Sequence, residues 1–207
     1  VETYSTEEQQ VEAIKKFWKD YGSSMVLGAA LGLGGLFGWN YYSDYQQQKA
    51  ETASAAYQQI VTSSASDAAL ISSAETFAAD YKEPGYDALL QLLAAKAAVA
   101  AGDLDKAKAA LQKVVDSKLG GGLEQVATIR MARIDAEQGN YEQALAALSQ
   151  VSQPSFVGQV AEVKGDILAR QGKLEQAKEA YQQALAEGGA MNGPSLQMKL
   201  DNLNVAS

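Results

Sequence analysis

Gly102-Asp-Leu-Asp-Lys-Ala107 occurs three times in variant form, returning as Gly139-Asn-Tyr-Glu-Gln-Ala144 and Gly172-Lys-Leu-Glu-Gln-Ala177. The steps between copies are 37 and 33 residues. Four residues after each alanine stands Leu111, Leu148 or Tyr181, and seven after it Val114, Val151 or Ala184. Twelve before it stands a small residue: Ala95, Ala132 or Gly165. Each part has a physical reason. The glycine ends one helix and turns the chain, and its polar neighbours begin the next. The small residues let two antiparallel helices approach closely, and the larger apolar residue fills the gap to the neighbouring pair.

A period of about 34 residues in this register is that of tetratricopeptide-type helical hairpins. Punctuation separates the copies: Gly120-Gly121-Gly122, then Gln153-Pro154-Ser155, then Gly188-Gly189 and Asn192-Gly193-Pro194. Beyond the last, Leu196, Leu200 and Leu203 predict a helix that covers the open end of the stack. Upstream, Leu89, Leu90, Leu93 and Ala97 predict a helix after the break at Lys82-Glu83-Pro84-Gly85. Leu70, Ala74, Phe77 and Tyr81 predict another, and Ala50, Ala53, Tyr57 and Ile60 a third, with a turn at Ser63 to Asp67 between these two. No strand-like alternation interrupts them.

Farther upstream, Met25 to Tyr42 reads MVLGAALGLGGLFGWNYY, inside 23 consecutive uncharged residues between Asp20 and Asp44. At about 1.5 Å per residue this is long enough to cross a hydrocarbon core of about 30 Å. Five glycines in these 18 residues suit a membrane helix better than a buried soluble one. A cleaved signal would begin basic and end on small residues; here five acidic residues precede the core and Trp39-Asn40-Tyr41-Tyr42 follows it. An uncleaved anchor is expected. Lys15, Lys16 and Lys19 before it, against Lys49 after it, favour a cytoplasmic N-terminus and an exported body. Trp18 and Tyr21 on one side, and Trp39, Tyr41 and Tyr42 on the other, suit the interfacial belts. Gly28, Gly32 and Gly35 share a helix face, and Gly34 with Gly38 forms a second small pair, so this helix can contact others closely.

Residues 1–24 predict a short amphipathic helix on the headgroups, or a docking site for a cytoplasmic partner. Thr6 with Gln9 can form a capping box, Val11, Ile14 and Trp18 share a face, and Gly22-Ser23-Ser24 allows a bend before the bilayer. Residues 25–42 are then the transmembrane helix and 43–207 the repeat domain. The expected fold is all-α: a transmembrane helix, a tetratricopeptide-like helical-hairpin solenoid and a C-terminal capping helix.

The chain carries 17 basic and 25 acidic residues, a net charge of −8. Such a balance argues against nucleic-acid binding, which needs a basic stripe. There is no cysteine and no histidine, which removes thiolate chemistry, disulfides, histidine triads and the usual zinc sites. The acid–base candidates that remain, Asp135, Glu137, Asp166 and Arg170, fall on first helices of repeats, where charges are usually solvated or line a groove. No catalytic role, metal or cofactor is expected. Arg130 and Arg133 with Asp135 either line a partner-binding groove, where they bind a partner carboxylate, or pair within the chain.

Across its whole length the chain resembles the YfgM family, ancillary subunits of the bacterial SecYEG translocon. The matching features are Val11-Glu-Ala-Ile-Lys-Lys-Phe17, the glycine-rich span ending Gly38-Trp39, the repeats, and Leu196-Gln-Met-Lys-Leu-Asp-Asn-Leu203. The resemblance implies a single-pass bacterial inner-membrane protein with a periplasmic repeat domain. It also implies association with SecYEG and with a membrane-anchored periplasmic chaperone of the peptidyl-prolyl isomerase type, and a role in passing exported client proteins to chaperones. A cytoplasmic restraint on an envelope-stress response regulator is implied as well. The resemblance carries no catalytic motif. The alternative is a membrane-anchored scaffold for cell-wall or outer-membrane assembly.

Overall fold

The computed structural model describes residues 7–188 and 193–206. The capping box at Thr6 and the turn at Gly189 to Asn192 lie outside these residues. Every described element is helical: α1 (Glu7–Ser63), α2 (Asp67–Tyr81), α3 (Pro84–Ala100), α4 (Leu104–Ser117), α5 (Leu123–Glu137), α6 (Tyr141–Ser149), α7 (Val157–Arg170), α8 (Leu174–Gly188) and α9 (Gly193–Ala206), with a 3₁₀ turn at Pro154–Phe156. The contacts divide into two units, Val1–Thr52 and Ala53–Ser207.

In the first unit α1 is helical through Gly22, Ser23 and Ser24, where the sequence allows a bend. The Trp18 indole lies over Gly22, where an added Cβ would sit 3.3 Å from the ring. Its large apolar residues, among them Leu27, Leu31, Leu36 and Phe37, are exposed. Among the described residues one helix, α1, is long and apolar enough, by length and composition, to cross a membrane.

The second unit is the repeat body. Within it Ala53 is fully buried, and Tyr57 packs its ring 5.5 Å from Tyr86. The pairs α3/α4, α5/α6 and α7/α8 are the three repeats. Each first helix ends in the same way. The backbone N–H of Asp103 donates to Ala98 and that of Gly102 to Val99; Asn140 with Gly139, and Lys173 with Gly172, repeat the pattern. Gly102, Gly139 and Gly172 hold φ of +77°, +80° and +73°, which a side chain would strain. The start of α4 is capped by the Asp103 carboxylate, which accepts from the Lys106 N–H at 3.0 Å. That bond holds the Asp103 carboxyl below its ordinary range.

The alanines of the repeated phrase, Ala107, Ala144 and Ala177, are all fully buried. At the third small position, a Cβ on Gly165 would fall 2.5 Å from the Tyr181 ring, so only glycine fits opposite that aromatic. Three cores follow one another along the body: Phe77, Leu90, Leu111 and Val114, then Ile129, Leu148 and Ile167, then Leu168, Tyr181, Leu196 and Leu200. Val151, expected in the second repeat's helix, lies beyond it, because α6 stops at Ser149 and the chain turns toward Pro154. Leu196 and Leu200 close the end as a cap, and Leu203 packs against them partly buried.

Candidate partner-binding groove

The first helix of each repeat places its charges at matching positions. The residue after each small residue is Lys96 in α3, Arg133 in α5 and Asp166 in α7. The fifth residue after it is Ala100, Glu137 and Arg170 in the same order. Among the described residues only the second row joins one first helix to the next by an ion pair. Arg170 bonds Glu137 at 2.6 Å, linking α7 to α5. Asp166 and Glu162 of α7 accept from Lys199 of α9 at 2.7 and 2.8 Å. Asp166 also accepts from the Tyr181 hydroxyl at 2.8 Å, and the Lys199 ammonium stands 5.6 Å from the Tyr181 ring centre.

These contacts set the protonation of the cluster. Burial, reinforced by Asp166, raises the Tyr181 hydroxyl well above its ordinary value. Burial alone would lower Lys199, but its bonds to Asp166 and Glu162 outweigh that and raise it.

Between α3 and α5 no such link forms among the described residues. A groove of about 430 Å³ opens there instead, with Ala95, Val99, Leu104, Leu111 and Ile134 as its apolar lining. Lys96, Arg130, Arg133 and Glu137 complete its wall. Among the described residues no carboxylate pairs with Lys96, Arg130 or Arg133. Glu137 is turned to Arg170.

Arg130 and Arg133 therefore stand together in the groove, exposed. Asp135 does not join them. It is buried and bonded to Lys108 of α4, an internal pair between neighbouring repeats. The remaining acid–base candidates, Glu137, Asp166 and Arg170, are held in the ion pairs just described. Lys96 and Val99 went unnoticed in the sequence, although the repeat register marks Lys96 as the counterpart of Arg133. In the first unit, a Cβ at Gly28, Gly32 or Gly35 would meet nothing within 4 Å, so that face of α1 is open there. Among the described residues no group of three or more acidic side chains converges as a metal site would require.

A family model described as Tetratricopeptide repeat-like domain matches residues 15–205. The match spans both the apolar helix and the repeat body. Relatives named Ancillary SecYEG translocon subunit match the chain over nearly its whole length. The one from Escherichia coli (strain K12) is 32% identical over 99% of this chain and 100% of its own length. Those from Haemophilus influenzae and Aggregatibacter actinomycetemcomitans are 30% and 31% identical, each over 95% of this chain and 97% of the relative. The chain belongs to this family of ancillary subunits. Family membership thus rests on full-length likeness, including the stretch before the repeats. No solved structure matches.

Proposed function

We propose that this protein is a non-enzymatic subunit associated with the SecYEG translocon of the inner membrane. In this reading residues 1–24 lie in the cytoplasm, 25–42 cross the bilayer, and 43–207 form a periplasmic interaction domain. The observation that carries the reading is the full-length likeness to relatives named for that translocon, spanning anchor and repeats alike. The α1 face bearing Gly28, Gly32 and Gly35 docks against other membrane helices, since small residues allow close backbone approach. The repeat groove bearing Arg130 and Arg133 serves a soluble partner. By family resemblance that partner is a membrane-anchored periplasmic chaperone of the peptidyl-prolyl isomerase type, which receives exported clients. A cytoplasmic envelope-stress regulator is assigned to the N-terminal segment on the same ground.

Mild-detergent co-purification of the tagged full-length chain tests this. SecYEG subunits should be recovered with it, and Gly32→Leu should reduce their recovery while leaving membrane insertion intact, because leucine is favourable in a bilayer. Recovery of cell-wall or outer-membrane machinery without SecYEG would replace the translocon reading by the scaffold one.

A further inference from the structure

We propose that the α3/α5 groove binds an acidic, apolar-flanked segment of another protein, whose carboxylates make the ion pairs that this step of the repeat body lacks. The proposal rests on reading the groove as an interaction surface and names the chemistry of its occupant. Each later step is closed by the chain's own charges: Glu137 with Arg170 between the first helices α5 and α7, and Asp166 and Glu162 with Lys199 between α7 and the capping helix α9. At the first step the corresponding repeat positions hold Lys96 and Arg133, two like charges lining one groove, and Ala100 in the position that matches Arg170. Arg130 adds a third cation to this wall. Within a chain of net charge −8, three cations with no carboxylate partner among the described residues, around one apolar depression, are a local reversal of sign.

The shape and chemistry of the groove narrow the occupant. Its lining is apolar, with Val99 46% exposed, so a purely ionic ligand would leave that surface wet. An apolar ligand without charge would cover the cations and strand them out of water. A segment with Asp or Glu beside Leu, Ile, Val or Phe satisfies both. A lipid surface fits less well, because the cations are confined to one depression of an acidic chain rather than spread over a face. Two guanidinium groups three residues apart on α5 present forks to the same side, suited to carboxylates.

The experiment pans a random twelve-residue phage-displayed peptide library against the full-length protein in mild detergent. Enriched peptides are then synthesised with a fluorophore and titrated by anisotropy. The enriched sequences should combine acidic and apolar residues. Their affinity should fall roughly tenfold or more for the Arg130→Ala/Arg133→Ala variant, and by a similar factor when peptide Glu is replaced by Gln. Both arginines are exposed, so the melting temperature of that variant should stay at the wild-type value. Enrichment of neutral or basic peptides, or acidic binders indifferent to the arginines, overturns the proposal. So does an absence of enriched peptides, whether the arginines then prove to hold phosphatidylglycerol micelles, a second copy of the chain or nothing. Val99→Asp separates this from the underlying reading. Neutral binders lost with Val99→Asp keep the groove as an interaction surface and refute only its acidic occupant. Binders unaffected by Val99→Asp remove the groove itself.

Discussion

At the scale of single residues, Asp135 and Arg133 are two positions apart and have opposite duties. Adjacent-but-one residues on a helix point about 200° apart, so one of the two must face inward when the other faces out. Asp135 is inside, where Lys108 of the preceding hairpin supplies its counter-charge. Asp135→Ala should leave the Lys108 ammonium without its partner. Because Lys108 is still 23% exposed, the cost should be about 1–3 kcal/mol rather than that of a sealed charge. Adding Lys108→Met should recover part of that loss, since the pair is then replaced by apolar packing. Arg133→Ala should change stability by less than about 0.5 kcal/mol, as surface substitutions do. Urea denaturation of the four proteins reads all of this. Equal losses for Asp135→Ala and Arg133→Ala would contradict the placement of the two side chains.

At the scale of elements, α9 is held by apolar contacts and by one polar cluster. Leu196 and Leu200 are buried against α7 and α8, and Lys199 reaches across to Asp166 and Glu162 beside Tyr181. Both Tyr181 and Lys199 have raised pKa values in the folded state. The folded protein thus retains protons that the unfolded chain gives up above about pH 10. The stability they contribute is intact below that pH and is lost as pH rises through the raised values. The melting temperature should therefore fall on the alkaline side, with amide exchange in α9 rising first. In a Tyr181→Phe/Lys199→Met variant the alkaline fall should be shallower, because both groups have gone. An identical slope in the two proteins would detach α9 from the cluster.

For the whole molecule, the governing feature is the division of labour between an apolar helix and a repeat body. Lys15, Lys16 and Lys19 lie on one side of the apolar run and Lys49 on the other. Basic residues near a span are retained in the cytoplasm, so the repeat body should be exported. A reporter active only in the periplasm, fused after Ser207, should be active, and a cytoplasmic reporter at the same point should be silent. The reverse pattern would move the groove to the cytoplasm and end its assignment to exported clients. Changing the three lysines to glutamine should blunt the periplasmic signal, because the charge asymmetry is then lost.

The sequence by itself determined the hairpin register and the apolar helix, because both are local. A glycine with positive φ, an alanine in a close helix contact and a long uncharged run each act over a few residues, and their spacing is the fold's own spacing. Gly102, Gly139 and Gly172 end their helices as the repeated phrase requires, and Ala107, Ala144 and Ala177 are buried where it puts them. Even the grouping of Arg130 with Arg133 follows from helix period. Only the tertiary structure decided that Asp135 belongs to Lys108 rather than to those arginines. Which face of α5 is covered depends on where α4 lies, and no periodicity within α5 contains that. The same holds for Lys199, whose partners stand 33 and 37 residues away on α7. Long-range pairing of charges chose which steps between helices are closed, and by omission it left the first one open.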